Sequence, residues 1–358
     1  MKVYKVVGLM SGTSIDGLDI AYCHFWKESL NWKFDLLNTQ SIAYTKELKH
    51  TLKNAINLKA DDLLILNNSY GKWLGLQTRE FIEKYNLQVD FISSHGHTVH
   101  HQPDNGLTYQ IGSGQHLANK TRLQVVCDFR TKDVALGGQG APLVPIGDSL
   151  LFNEYDFCLN LGGISNISFD YKNQRVAYDI GLANMVLNYS TQKTGIQYDK
   201  GGVLASKGTI NRKLLKELNA LAYYDLPFPK STGYEWFVKE VIPIIEKHQD
   251  SLEDLLHTAI HHICEKIALE THKYKSKKTS SILITGGGAL NTFLMEVLKD
   301  KLGPSVKIKK HDKKLIEFKE ALVFAFIGVL RIKKQINVFS SVTGATKDSS
   351  SGVVFLPG

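Results

Sequence analysis

The sequence predicts an α/β protein of two similar lobes facing a cleft, and three observations carry that prediction. A strand, glycine-rich turn, strand, strand pattern occurs near the start of the chain and again at mid-chain. Each copy is followed by long segments of helical period. The 358 residues exceed what one ordinary compact core takes, and 43% hydrophobic with 22% charged residues is a globular composition.

In the first copy, residues 4–10 read as a strand, "SGTSIDG" as a turn, and 18–25 and 34–43 as two further strands. Helical periodicity covers 45–58 and 60–85. Residues 90–94 form a short apolar run entering "SHGHTVHHQP", and 124–129 another entering "DFRTKDVALGGQGAPLVP". In the second copy, 157–161 is the strand, "GGISN" the turn, and 167–171 and 175–179 the partners, with helices expected over 182–193 and from about Asn211. A helix over 254–274, a strand over 281–285, the turn "GGGALN" and a helix over 292–302 complete this lobe. A long amphipathic helix is expected over 315–330, and the closing "VVFL" reads as a strand returning to the first lobe. The expected division is 1–135 plus 336–358 for the N-terminal lobe and 136–335 for the C-terminal lobe.

The formal charge of +8 comes with modest lysine clusters near 273–278 and 307–314, which read as solvated faces, so no nucleic-acid partner is expected. Such a charge still favours anionic small ligands. Cys23, Cys127, Cys158 and Cys264 are far apart without a CxxC pair, as buried free thiols in a reducing compartment would be. No window reaches 18 apolar residues, so a cytoplasmic protein with no membrane partner is expected.

Three stretches carry the chemistry. "SGTSIDG" offers successive amides, two glycines and the hydroxyls of Ser11, Thr13 and Ser14, which make an anion cradle or a plain hairpin. Within it Asp16 either serves Mg²⁺ through water or caps the turn. "ITGGGALN" (284–291) runs from a strand through three glycines into a helix, suited to a phosphate at a helix start, yet it matches neither GxGxxG nor a P-loop. In "AYDIGLANMVLN", Asp179 ends a strand before Gly181, either as a general base aimed into the cleft or as the N-cap of the next helix. His95 and His97 alternate on one side of an extended chain, which leaves a Zn²⁺-dependent hydrolase as a competing reading.

Taken in order, "GLMSGTSIDGLD", "SHGHTVHHQP", "QIGSG", "DFRTKDVALGGQGAPLVP", "NLGGISN", "YDKGG", "PKSTG", "TGGGALN", "KEALVFAF" and "SVTGA" span nearly the whole chain. In these motifs the chain resembles the anhydro-N-acetylmuramic acid kinases of peptidoglycan recycling, within the actin, hexokinase and heat-shock ATPase superfamily. The resemblance implies a ribonuclease H-like fold in each lobe and a nucleotide cleft between them. It also implies an ATP- and Mg²⁺-dependent reaction in which 1,6-anhydro-N-acetylmuramic acid and water become N-acetylmuramic acid 6-phosphate.

By the same resemblance ATP lies along Gly12, Thr13, Ser14, Ile15, Asp16, Gly17, Leu18 and Asp19, along Gly162 and Gly163 with Asn184, and along Gly286, Gly287, Gly288 and Asn291. Asp179 matches the catalytic aspartate and Glu320 a glutamate near the sugar, while Asp16 stays open between a Mg²⁺ contact and a residue that only shapes the turn. His95, His97, Arg130 and Gly163 line the amino-sugar substrate, with Arg130 suited to its lactyl carboxylate. A homodimer would be in keeping with it. The chain departs from the family pattern at His97, where Gln is usual, and in "DIGLAN", where "DTGPGN" is usual. These departures keep two other readings open, a kinase for another sugar on the same fold and a weakly catalytic ATP-binding protein.

Overall fold

The computed structural model describes residues 2–12, 15–309 and 311–358, so Thr13 and Ser14 of the expected phosphate turn lie outside the described residues. The chain divides into two compact units, Met1–Leu151 with Phe318–Gly358, and Phe152–Glu317. These bounds differ from the expected division at 135/136 and 335/336 because the helix Pro145–Leu151 and most of the helix Lys313–Ile332 pack into the first unit. Gly147 lies so close to that long helix that a Cβ would sit 2.5 Å from Val323 Cγ2, and Gly8 presses against the Ala321 carbonyl.

The first unit holds a sheet built on β1 (Tyr4–Ser11), β2 (Gly17–Glu28) and β3 (Asn31–Ala43), an antiparallel meander. Beside β1, β4 (Phe91–Ser94) pairs in parallel. The hairpin of β5 (His97–Gln102) and β6 (Leu107–Ile111) carries the histidine-rich motif, which the sequence pattern does not resolve into strands. β7 (Gln124–Cys127) pairs in parallel with β4, and β13 (Val353–Phe355) closes the edge, as expected of the returning "VVFL". The full order is β13-β7-β4-β1-β2-β3. Alternate apolar residues of β1 and β2, among them Val7, Leu9, Leu18 and Ile20, form a core with Tyr70, Leu74 and Phe81 of the helix Ala60–Lys84.

The second unit repeats the plan with β8 (Phe157–Leu161), β9 (Ile164–Tyr171), β10 (Gln174–Leu182), β11 (Ser280–Thr285) and β12 (Val306–Lys309), in the order β10-β9-β8-β11-β12. Numbered by chain position, the second sheet reads 3-2-1-4-5 and the first reads the same with β13 added antiparallel as a sixth, edge strand; three antiparallel strands followed by two parallel ones is the ribonuclease H-like arrangement of the α/β prediction. Phe157, Leu159, Ile282 and Ile284 pack with Ile260, Ile263 and Ile267 of the helix Leu252–Tyr274.

Two local expectations need correcting. The mid-chain turn is only Gly162–Gly163, because β9 starts at Ile164 and Ser165 Oγ donates to the carbonyls of Gly181 and Leu182, 3.1 Å each, drawing both strands onward. The late helix is amphipathic only in its first turns, where Lys313, Lys314, Glu317 and Glu320 are exposed, and from Ala321 to Leu330 every residue is buried. The four cysteines are free and buried, and among the described residues no helix is long and apolar enough to cross a membrane.

Candidate active site

In the second unit the chemistry gathers at the mouth of β8, β10 and β11. Asp179 does not end its strand as expected. β10 runs on to Leu182 through a register shift between Asp179 and Gly181, and the extra residue, Ile180, is buried in the core. Nor does Asp179 cap the next helix, Asn184–Gln192, whose N-cap position is Ala183. Its half-buried carboxylate instead accepts two hydrogen bonds on Oδ2, from Ser231 Oγ and from the Thr232 amide, each 3.0 Å. Its main chain is held as firmly, the amide donating to the Lys230 carbonyl at 3.1 Å and the carbonyl accepting from Tyr223 Oη at 2.7 Å. Burial raises the carboxyl pKa above the ordinary aspartate value, against the lowering pull of the Thr232 and Ser231 bonds. A carboxylate that is ionised yet basic for its type is what a general base needs.

Two glycine turns meet beside it. Asn184 Nδ2 donates to the carbonyls of Leu161 and Gly162, 2.9 Å each, and the amides of Ala183, Asn184 and Met185 donate to Gly163 and Gly162 carbonyls. The same Nδ2 is the nearest neighbour that a Cβ on Gly287 would meet, at 3.7 Å. "NLGGISN", the Asp179 strand and "TGGGALN" are therefore one constellation, bridged by Asn184. The glycines serve different ends. Gly286 has φ 82° and a Cβ there would lie 2.6 Å from Asn160 Oδ1, and Gly288 is pressed against Leu161, so both are demanded by the chain itself. Gly163 and Gly287 are exposed, have no positive φ, and meet nothing closer than 3.5 Å and 3.7 Å. A Cβ at either would cover only open surface beside main-chain amides, and such a shelf fits the phosphates and sugar of a nucleotide. Asn291 is spent on structure, capping the helix Thr292–Leu302 through Leu294 N at 3.0 Å.

In the first unit, the turn between β1 and β2 is closed by the Ile15 amide on the Gly12 carbonyl at 3.2 Å, with Ile15 at φ 55°. Gly17 is required because its Cα faces the Ile42 carbonyl of β3. The Leu18 side chain is fully buried in the core, so only its main chain can meet a nucleotide. Asp19 accepts from Ser41 Oγ at 2.5 Å. Asp16 is exposed, with Lys49 Nζ 4.0 Å away. Among the described residues no group of three metal-ligating side chains exists. A single carboxylate is nevertheless sufficient for Mg²⁺ that arrives on nucleotide phosphates, and Asp16 fits that limited part.

Arg130 and His95 form a tight pair. Arg130 donates from Nε and Nη2 to His95 Nε2, 3.1 and 2.8 Å, and from Nη1 to the Gly140 carbonyl at 2.5 Å. His95, 4% exposed, keeps its own proton on Nδ1 for the Gly96 carbonyl at 3.0 Å. Burial and then the Arg130 charge hold its pKa well below the usual histidine value, so it stays neutral. Burial also brings the Arg130 guanidinium down to about 10, where it is still charged at neutral pH. With three of its five donors committed, one N–H on each Nη remains for a carboxylate ligand.

The Zn²⁺ reading loses its ligands here, because the His95 Nε2 lone pair is taken by Arg130. Gly96, at φ 74°, also breaks the extension that would align His95 with His97. His97 faces Ser11 instead, Nδ1 to Oγ 3.1 Å, in a chain that continues through Tyr44 Oη to Tyr70 Oη, and burial lowers its pKa to about 4.

Glu320 stands at the exposed end of the buried run of its helix. Surrounding protein raises its pKa and Asp19 adds to the rise, while Lys319 and Arg130 oppose it. Lys319 itself is buried in an ion pair with Asp148, 2.6 Å.

Sequence reasoning missed Ser231, the Thr232 amide and Tyr223. "PKSTG" was visible as a motif, but nothing in its spacing from Asp179, 52 residues for Ser231, shows that the two meet.

The family model for anhydro-N-acetylmuramic acid kinase matches residues 4–357. An anhydro-N-acetylmuramic acid kinase of Sulfurimonas denitrificans is 35% identical over 98% of this chain and 98% of its own. Namesakes from Francisella tularensis subsp. novicida and Haemophilus influenzae are 34% and 33% identical, over 96% and 99% of this chain and 97% and 98% of theirs. Among solved structures, the activator of the 2-hydroxyisocaproyl-CoA dehydratase from Clostridium difficile with bound ADPNP aligns with a TM-score of 0.45 at 11% identity, over 92% of this chain and 97% of that one. With the family match running almost end to end and relatives above 30% identity over nearly their full length, the chain belongs to the anhydro-N-acetylmuramic acid kinase family.

Proposed function

We propose that this protein is an ATP-dependent sugar kinase that converts 1,6-anhydro-N-acetylmuramic acid and water to N-acetylmuramic acid 6-phosphate, in the cytoplasm and in the service of peptidoglycan recycling. The observation that carries the reading is Asp179, a base-like carboxylate beside two glycine turns whose exposed members, Gly163 and Gly287, have no structural need to be glycine.

Asp179 takes a proton from water as the water oxygen bonds to the anomeric carbon. The bond from that carbon to O6 breaks, O6 bonds to the γ-phosphorus, and the bond from that phosphorus to the bridging oxygen breaks to release ADP. One base thus starts both events, and its contribution is of the order of 10²- to 10⁴-fold. Gly162, Gly163, Asn184, Gly286, Gly287, Gly288 and the Gly12–Asp19 turn hold ATP in this reading. Asp16 would help to hold Mg²⁺, which would supply charge neutralisation at the phosphates. Arg130 receives the lactyl carboxylate on its two remaining N–H groups, with His95 setting its orientation, while His97 and Glu320 face the sugar. A carboxylate requirement of this kind separates muramic acid from its glucosamine counterpart, because an unanswered buried guanidinium is costly.

Incubation with ATP, Mg²⁺ and the anhydro sugar in H₂¹⁸O is the test. The expected product is muramic acid 6-phosphate with the label at C1. Folded protein that makes no product, or makes it with no label at C1, rules the reaction out.

A further inference from the structure

Two motifs of the first unit, "TKDVALGGQGAP" and "SVTGA", carry no residue with a role in the reaction as proposed, and one buried carboxylate joins them. Asp133 lies in the short helix Thr131–Ala135 and has no exposed surface. Its Oδ2 accepts from the Gly140 amide at 2.7 Å and its Oδ1 from Thr343 Oγ1 at 2.8 Å. The main chain laces the same segments together, the Gly138 amide donating to the Asp133 carbonyl at 2.9 Å, the Gln139 amide to the Thr343 carbonyl at 2.8 Å, and the Thr346 amide to the Leu136 carbonyl at 3.0 Å.

A buried carboxylate is costly unless its oxygens are answered, and here the answer ends on Arg130. Gly140 is gripped at both ends, its amide by Asp133 Oδ2 and its carbonyl by Arg130 Nη1 at 2.5 Å. With φ at 67° and Val134 Cγ2 2.8 Å from where a Cβ would sit, the position takes only glycine, so its main-chain bonds must place it. The Arg130 carbonyl accepts from the Val134 amide at 3.1 Å, which fixes the base of the side chain, while His95 and Gly140 fix its tip. Asp133 reaches Arg130 by two routes. One is the Gly140 bond, which has direction; the other is its charge, which after that of Glu320 opposes the burial that lowers the guanidinium, and has none.

We propose that Asp133 is a positioning residue, which holds Gly140 in place and thereby aims the remaining N–H groups of Arg130 at the carboxylate of the substrate. The role rests on the reading of Arg130 as the partner of that carboxylate. A guanidinium recognises a carboxylate through two parallel bonds only when its plane is fixed, and the Asp133–Gly140 bond supplies the support on the side that His95 does not cover. "SVTGA" enters the same assembly through Thr343, which occupies the second oxygen of Asp133.

The test is calorimetric binding of 1,6-anhydro-N-acetylmuramic acid and of its methyl ester to the unaltered protein, Asp133→Ala, Gly138→Ala and Asp133→Asn. The ester keeps the sugar and removes the charge, so the ratio of the two affinities reads the aim of Arg130 and does not follow stability. The unaltered protein should prefer the acid roughly tenfold to a hundredfold. Asp133→Ala releases the Gly140 amide, and Gly138→Ala sets a methyl against Asp133 Oδ2 while leaving the charge in place, at a position with no positive φ. Each should cut the preference about fivefold to tenfold, with ATP affinity changed by less than about twofold. Asp133→Asn should keep most of it, since its Oδ1 accepts from Gly140 and its Nδ2 donates to Thr343 Oγ1. If Asp133→Ala does not fold, Gly138→Ala and Asp133→Asn carry the comparison. A preference that persists in Asp133→Ala or in Gly138→Ala overturns the positioning role, and so does its loss in Asp133→Asn, which assigns the effect to charge. Equal affinity of the unaltered protein for acid and ester removes the carboxylate reading of Arg130 itself, and the role falls with it.

Discussion

Replacing Ser231 with alanine should move the acid limb of the kcat/KM profile to higher pH. Asp179 Oδ2 accepts one bond from Ser231 Oγ and one from the Thr232 amide, 3.0 Å each, and both favour the ionised carboxylate against a burial effect that disfavours it. A hydrogen bond to a charged group is worth about 1.5–3 kcal/mol when buried. Ser231 is exposed, and screening reduces its share to about 1 kcal/mol. That loss weakens the ionised form and raises the Asp179 pKa further above the ordinary aspartate value. The sign follows from which form works. The base acts ionised, activity is lost as pH falls through its pKa, and a raised pKa brings that loss on at higher pH. The measurement is initial-rate ADP release at low sugar concentration across mildly acidic to neutral pH. Thr232→Ala is the internal control, because its bond to Asp179 comes from the main chain and survives the change. An acid limb that stays in place or moves down in Ser231→Ala, or that moves equally in Thr232→Ala, refutes the reasoning.

Other consequences are equally direct. Asp179→Asn should lower kcat by about 10²- to 10⁴-fold while calorimetry still detects ATP binding. Arg130→Ala should raise KM for the muramic substrate roughly tenfold to a hundredfold, and Arg130→Lys should rescue little of it, since one ammonium cannot reach His95, Gly140 and a carboxylate together. Gly286→Ala should destabilise the second unit by about 1–3 kcal/mol in denaturant unfolding, given its positive φ and the 2.6 Å approach to Asn160. Gly287→Ala should leave stability unchanged and raise KM for ATP. Lys319→Met, which strands the Asp148 charge, should cost about 3–5 kcal/mol of stability.

The succession of strands along the chain was legible because the pattern repeats, and because a glycine turn between apolar runs has few other solutions. The strand bounds around the site were less so. Nothing in "DIGLAN" announces that the ladder continues past Asp179, since that depends on Ser165, fourteen residues earlier, tying down the Gly181 carbonyl. The partners of Asp179 were hidden for the same reason, Ser231 and Tyr223 being brought in by tertiary packing from segments with no local signature of their own. Arg130 was singled out in the sequence as suited to a carboxylate, but its pairing with His95 was not visible there, because the alternation that set His95 beside His97 is cancelled by the positive φ of Gly96. The long helix misled in the opposite direction: its amphipathic start gives way to a continuous apolar run over residues 321–330, and a run apolar all round must be buried all round.

Several ionisable groups compete for any acid limb that is measured, and the structure separates them. Burial holds His95 neutral and lowers the His97 pKa to about 4, and Arg130 keeps its charge up to about 10, so the Arg130–His95 pair is constant across the range between. Two raised carboxyls remain, Asp179 and Glu320. They answer to different neighbours: Asp179 to Ser231 and Thr232, Glu320 to Lys319, Arg130 and Asp19. Removing the Ser231 bond should therefore shift only a limb that belongs to Asp179. Removing the Lys319 charge, which holds Glu320 down, should raise only a limb that belongs to Glu320. If the limb follows Lys319→Met and ignores Ser231→Ala, the proton acceptor is Glu320, and Asp179, with Tyr223 on its carbonyl, shapes the turn without taking part in proton transfer.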